Sequence, residues 1–383
     1  MVDSRAMSHK LERMFSPVQI GALTLPNRVV MAPMTRYFSP MGVPTKEVAD
    51  YYARRSAADV GLIITEGTWI NHPGAGNDNR VPNFFGEAAL AGWKKVVDAV
   101  HAEGAKIMPQ LWHIGLMEFE PVAGVDKQHT DVRPDQVGPS GYVGGIGKMP
   151  TLRASAMRQK DIDDVIAAFG EAAETAFRLG FDGVAIHGAH GYLIDQFLWD
   201  VTNKRDDRYG GDIKGRATFA CEVVREIRRR TAPDYPIMFR FSQWKLQNYD
   251  AKLVSTSEEL AILLNELVEA GVDIFDCSER RFWVPVFEGS HLSLAGWTRK
   301  LTQKPTMTVG SVGLDRDVEE TLAGEDSRPS GIEALLDRLD KGEFDLVGVG
   351  RAVLVDPQWA SKAKANALHT AAPFTPDALG KLF

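Results

Sequence analysis

Two patterns of apolar residues alternate along the chain, and their order repeats. Between Asp161 and Leu179, apolar residues at Ile162, Val165, Ile166, Phe169, Ala173 and Phe177 keep the three-to-four spacing of a helix face. Gly180 then stops the helix, and "DGVAIH" follows as a short apolar run. The phrase recurs with Leu90, Trp93, Val97 and Val100 before Gly104 and "AKIMPQL", with Leu260, Leu263, Leu264 and Leu267 before Gly271 and "DIFDCS", and with Ile332, Leu335, Leu336 and Leu339 before Gly342 and "DLVGVG". Thr256 with Glu259 predicts a capping box opening one of these helices.

Eight such runs predict strands at 28–33, 61–67, 105–111, 182–187, 236–241, 273–278, 306–311 and 345–350. Buried strands alternating with helices imply parallel pairing, and eight units favour closure into an α/β (β/α)8 TIM barrel over an open sheet. No Gly-x-Gly-x-x-Gly follows the first strand, which weighs against a dinucleotide-binding sheet. The barrel is expected as a single domain over residues 14–370, after a polar N-terminal extension at 1–13 with a second candidate start at Met7, and before a C-terminal tail at 371–383. The rhythm breaks once, in the Gly/Pro-rich stretch from Gly115 to about Ser155. This stretch leaves the C-terminal end of the third strand, the face where barrels place their sites, and is expected to act as a lid.

Composition narrows the partners. The 383 residues are 44% hydrophobic and 25% charged, with a net charge of −7 and no long basic run, so neither nucleic acid nor an anionic membrane surface is an expected partner. Only Cys221 and Cys277 are present, which excludes a disulfide framework and a four-thiolate cluster and fits a reducing compartment. With no signal-like or membrane-length apolar segment, a cytoplasmic location is expected.

Candidate chemistry gathers where the apolar runs stop. "VGSVG" and "VGVGR" close the last two runs, where barrels commonly build a phosphate site; Gly310, Ser311 and Gly350 would offer backbone donors and Arg351 a charged fork, although glycines also simply turn chains and Arg351 also reads as a surface charge. Gln110 offers a donor and an acceptor to an imide edge, and Arg240 offers donors to developing negative charge, while a satisfied amide and a rim ion pair remain open for both. In "HGAHGY", His187, His190 and Tyr192 read three ways: as metal ligands lacking a third partner and the helix of His-Glu-x-x-His, as satisfied imidazoles in a glycine-rich turn, or as donors to the carbonyl of a conjugated substrate.

Taken together, "LPNRVVMAPMTR", "ITEGT", "PQLWHIG", "HGAHGYLIDQFL", "NKRDDRYGG", "FRF", "VGSVG" and "GVGRAVLVDP" resemble the old yellow enzyme family of FMN-dependent ene reductases across nearly the whole barrel. The resemblance implies tightly bound FMN on the C-terminal face, with Pro33, Met34, Thr35 and Gly67 beside the isoalloxazine, Gln110 at its pyrimidine edge, Arg240 near N1, and Gly310, Ser311, Gly350 and Arg351 at the phosphate. It implies NADH or NADPH as hydride donor and a small electron-poor alkene as acceptor. His187 and His190 would bind the carbonyl oxygen and Tyr192 would protonate the α-carbon. Tyr37, Trp112, Phe282 and Trp283 are candidate substrate-lining aromatics, each equally readable as core.

The His-x-x-His pair looks like one branch of that family, and Thr35 with Trp112 like another. "SQWKLQ" after Arg240 and "SERRFWVPVFEGS" after the sixth run depart from its commonest text. The physiological substrate, the choice of nicotinamide and the oligomeric state, a homodimer included, stay open. A flavin-binding protein without turnover would not require Tyr192 or the His pair, and a metal-dependent barrel hydrolase would require metal at His187 and His190.

Overall fold

The computed structural model describes residues 4–119 and 132–383. Eight parallel strands close into a barrel in chain order: β1 Val29–Met31, β2 Leu62–Trp69, β3 Lys106–Trp112, β4 Val184–His187, β5 Ile237–Phe241, β6 Ile274–Ser278, β7 Thr306–Val309 and β8 Leu346–Val349. Each overlaps one of the eight predicted runs. β7 and β8 end at Val309 and Val349, because Gly310 and Gly350 already belong to the turns that leave the barrel.

The helices lie where the spacing predicts. Gln159–Leu179 buries Ile162, Val165, Phe169 and Ala173 and ends at Gly180, whose left-handed φ of 88° lets its N–H reach Ala176 and Phe177 carbonyls. Phe177 differs: it is exposed and meets Tyr235 edge-on. The Thr256 hydroxyl accepts from Glu259 N as a cap should, but the Glu259 carboxylate accepts from Ser255 N rather than Thr256 N, so the box closes one residue early.

Period-two alternation fills the barrel. Val30, Leu62, Ile64, Met108, Ala185, Met238, Ile274, Met307 and Leu346 form one buried cluster with Ile20, Leu23 and Leu25. Those last three belong to a hairpin of Val18–Ile20 and Leu23–Leu25 that the periodicity did not single out. Burying side chains of this size contributes about 1.5–3 kcal/mol each. The apolar plug therefore fills the N-terminal end and leaves polar side chains to the other mouth.

Both chain ends are packed elements. Residues 1–3 lie outside the described residues, but Ser4–Met14, expected to be a polar extension, is a helix with Leu11 and Met14 buried and Met7 packed beside them. Lys10 and Arg13 pair with Asp337 and Asp340. Near the other end, Phe374 bridges to Ser327, and Arg36 donates to the carbonyls of Ala378, Leu379 and Lys381. The tail thus braces the chain that leaves β1.

The excursion after β3, expected as a lid, carries strands of its own. Met117–Glu118, Tyr142–Gly145 and Lys148–Leu152 form a small sheet, and Gly147 N donates to Leu246 O at 2.8 Å, laying it against the segment after β5. Residues 120–131 of the expected lid lie outside the described residues.

Candidate active site

One step of two residues beyond the apolar plug, the inward positions become polar: Met108 gives way to Gln110, Ala185 to His187, Met238 to Arg240, and Ile274 to Asp276 and then Ser278. Gln110, His187, Arg240 and Asp276 are all buried. Gln110 Nε2, Arg240 Nε and both Asp276 oxygens have no hydrogen-bond partner among the described residues. An unpaired buried polar group costs about 1–3 kcal/mol, so a layer of them is a site built to receive a polar ligand.

"HGAHGY" folds onto this layer. Gly188 N donates to Arg240 O, and a Cβ at Gly188 would lie 2.5 Å from the Phe239 ring, so only glycine allows the crossing. His190 sits at φ 65°, with its N–H donated to Ser242 Oγ. The ring of His187 lies 5.1 Å from that of His190 and 4.9 Å from that of Tyr192, both edge-on, with Trp112 stacked at 5.7 Å. Burial, reinforced by Arg240, holds His187 well below the usual imidazole range; burial, then His187, Arg240 and Lys245, does the same for His190. Both rings are neutral at neutral pH, and burial raises the Tyr192 phenol, which keeps its proton. The result is a compact set of uncharged donors. No group of three or more His, Cys, Asp or Glu side chains suited to a metal occurs among the described residues.

His190 is not free to converge wholly with His187. Its face stacks on Trp244 at 4.4 Å and its Nε2 meets Ser278 Oγ at 2.7 Å. The turn is locked from behind by a fully buried ion pair, Lys245 Nζ to Asp195 Oδ1 at 2.7 Å, with Asp195 Oδ2 accepting from Gly191 N. Removing either partner would leave the other charge buried and unpaired.

The β1–β3 side holds the segment Pro33 to Tyr37. Pro33, Met34 and Thr35 are partly exposed beside the mouth; Arg36 N donates to Glu66 Oε2 at 3.1 Å. A Cβ on Gly67 would lie 2.4 Å from the Trp112 ring, so this glycine makes room for Trp112, which also packs on Trp69 at 4.3 Å. Tyr37, at φ 62° and 44% exposed, lies under the Arg80 guanidinium at the rim.

Burial raises Glu66 from 4.5 to about 7 against the opposing pull of Arg36. The folded chain therefore keeps a proton that the unfolded chain has lost, and this contribution is full below pH 4.5 and lost as pH rises towards 7. Glu66→Gln should flatten the decline in urea midpoint over that range, a difference on the order of 2–3 kcal/mol; an unchanged slope would mean Glu66 is not the group that titrates.

On the β7–β8 side a cleft runs between Met34, Arg240, Gly310, Ser311, Gly350 and Arg351. A Cβ on Gly350 would meet only Met34 Sδ, at 3.6 Å, so the backbone here faces open space on the cleft side. Ser311, at φ 52°, donates its hydroxyl to Arg280 O. Arg351 lines the cleft and also holds the neighbouring loop: its Nη1 donates to Asp317 O and Thr321 Oγ1 and its Nη2 to Arg316 O, so the fork fastens the 316–321 segment. Burial lowers its pKa to about 10, which leaves it charged beside the cleft.

Phe282 is buried with its N–H on Gly310 O, at the edge of the cleft, and Trp283 is on the surface edge-on to it. Trp244 takes the expected aromatic place, sharing the wall with His190 and Ser278. Sequence reasoning also passed over Asp276 and the Lys245–Asp195 pair. Counting by twos along β6 finds Asp276 and Ser278; no local pattern finds the others.

A closed α/β barrel with neutral donors and unpaired polar groups at its C-terminal mouth is an enzyme of the barrel class. Residues 13–329 match the NADH:flavin oxidoreductase / NADH oxidase family, and the chain belongs to that family. It is 32% identical over 367 residues to NADH oxidase from Thermoanaerobacter brockii, covering 94% of this chain and 51% of that protein, so it spans about half the length of that relative. It is 32% identical over 374 residues to 12-oxophytodienoate reductase 7 from Oryza sativa subsp. japonica, covering 92% of this chain and 88% of that one. Among solved structures, morphinone reductase in complex with tetrahydroNAD superposes with a TM-score of 0.75 at 28% identity, covering 96% of this chain and 93% of that chain. An old yellow enzyme homologue from Zymomonas mobilis gives a TM-score of 0.75 at 26% identity, covering 96% of each. The chain thus belongs to a family of flavin oxidoreductases, with FMN as cofactor. No helix among the described residues is long and apolar enough to cross a membrane.

Proposed function

We propose that the chain reduces the activated C=C bond of α,β-unsaturated carbonyl or nitro compounds at the expense of NADH or NADPH. The observation that carries this reading is the cluster of three neutral donors at the barrel mouth, His187 with His190 and Tyr192 within 5.1 Å of it, ring to ring.

FMN fits the residues present: Gln110 Nε2 is a buried donor without a partner, and Gly350 leaves open space beside a charged Arg351. Gln110 would hold the pyrimidine edge beside Pro33, Met34, Thr35 and Gly67, Arg240 the N1 side, and the Gly310, Ser311 and Gly350 backbone the phosphate, with Arg351 supplying charge while its fork holds the loop. FMN supplies a carrier that accepts two electrons from the nicotinamide and passes them to the alkene.

The protein's own part is polar. Neutral imidazoles donate to the substrate's carbonyl or nitro oxygen, and donors fixed before the reaction stabilise the charge that develops there without reorganising. Tyr192, protonated and facing His187, delivers the proton that completes addition at the α-carbon. Trp112 and Tyr37 fence the substrate, and the sheet of the excursion, lying on Leu246, closes that side against water. Following the oxidation of NADH and of NADPH with a panel of enones, nitroalkenes and maleimides tests the reading. Alkene-dependent turnover is expected, and oxidation that no alkene accelerates would remove it.

A further inference from the structure

The polar layer contains a carboxylate that the proposed chemistry leaves unused. Asp276 pairs in register with Arg240 on the neighbouring strand, and its side chain faces the interior at the same height. Asp276 Oδ2 lies 3.1 Å from Arg240 Nε, with side-chain exposures of 1% and 7%. The contact is not aligned as a hydrogen bond, so both carboxylate oxygens and the guanidinium Nε stay without hydrogen-bond partners among the described residues. Asp276 lies beneath the cleft, whose wall on this side is Arg240 and Ser278. A structural ion pair would normally use its geometry fully; this one opposes charge to charge and little else.

We propose that Asp276 is a positioning residue that acts through Arg240, offsetting part of the guanidinium charge presented to bound FMN and so lowering the reduction potential of the flavin. The inference rests on the FMN reading above. Its physical basis is that reduction adds negative charge to the flavin. Arg240 favours that charge, and a buried carboxylate 3.1 Å from Arg240 opposes it. The balance matters for an enzyme that must both accept electrons from a nicotinamide and release them to an alkene: an uncompensated arginine would ease the first half at the expense of the second. Burial also raises Asp276 to about 6 against the pull of Arg240, so it is mainly ionised at neutral pH and the offset is present there.

The test is the midpoint potential of the FMN-loaded enzyme, measured spectroscopically against a reference dye at neutral pH, in the unaltered protein and in Asp276→Asn. Loss of the carboxylate should bind reduced FMN at least about tenfold tighter relative to oxidised FMN, a midpoint about 30 mV more positive. Should the asparagine variant fail to fold, Asp276→Ser removes the same charge and carries the same expectation. The shift should shrink when Asp276→Asn is made in an Arg240→Gln background, because the carboxylate acts through the guanidinium. An unchanged potential in variants that bind FMN normally would overturn the inference and leave the proposed function standing. An undiminished shift in the Arg240→Gln background would overturn the route through Arg240. A chain that takes up no FMN at all would overturn both.

Discussion

Converting His187 and His190 together to alanine should lower the rate of enone reduction about 10²–10³-fold and weaken binding of simple phenols, read as a lost perturbation of the flavin spectrum. The size follows from the environment. His187 is buried and His190 partly buried, and both are neutral and fixed by neighbours, Trp112 against one and Trp244 with Ser278 against the other. A donor held in a dry site stabilises developing oxyanion charge more than a solvated one, and removing it leaves no water positioned to substitute. Because Ser278 occupies His190 Nε2, His187→Ala alone should account for more of the loss than His190→Ala alone. Titration of both single variants and the double variant with a phenol checks this, and an unchanged titration in the double variant would remove the imidazoles from the oxygen-binding role.

Tyr192→Phe separates the two halves of the cycle. Flavin reduction by the nicotinamide should stay nearly intact, and saturation of simple enones should slow about 10²–10⁴-fold, the usual worth of a positioned proton donor. The phenol is 7% exposed and packs edge-on to both His187 and Trp112, so phenylalanine keeps the packing and loses only the hydroxyl. Stopped-flow measurement of each half-reaction decides it. Equal loss in both would mean that Tyr192 shapes the site rather than supplying the proton.

Much of this was legible in the sequence for a simple reason. Barrel strands are buried on both faces and read as unbroken apolar runs, and four of the helices between them end on or beside a positive-φ glycine, Gly104, Gly180, Gly271 or Gly342. The polar residues where those runs stop, Gln110, His187 and Arg240, face inward because each lies two positions beyond a plug residue. The same count reaches Asp276, two positions beyond the plug residue Ile274.

What stayed hidden depends on partners distant in the chain. Ser278 meets His190 across 88 residues and Lys245 meets Asp195 across 50, and neither pairing leaves a local mark. That Arg351 also fastens the backbone carbonyls of Arg316 and Asp317, 35 and 34 residues away, leaves no mark in "VGVGR". The first helix escaped notice because Met7, Leu11 and Met14 keep helical spacing inside a segment whose other residues are mostly polar or charged.

The central claim is that unpaired polar groups at the barrel mouth exist to hold a flavin. Titrating the purified, flavin-stripped chain with FMN by fluorescence quenching tests it most directly. The account predicts saturable uptake of one FMN per chain, with Gln110→Ala and Arg240→Ala each weakening it. A chain that leaves added FMN fully fluorescent, or binds it as well after both groups are removed, would contradict the account.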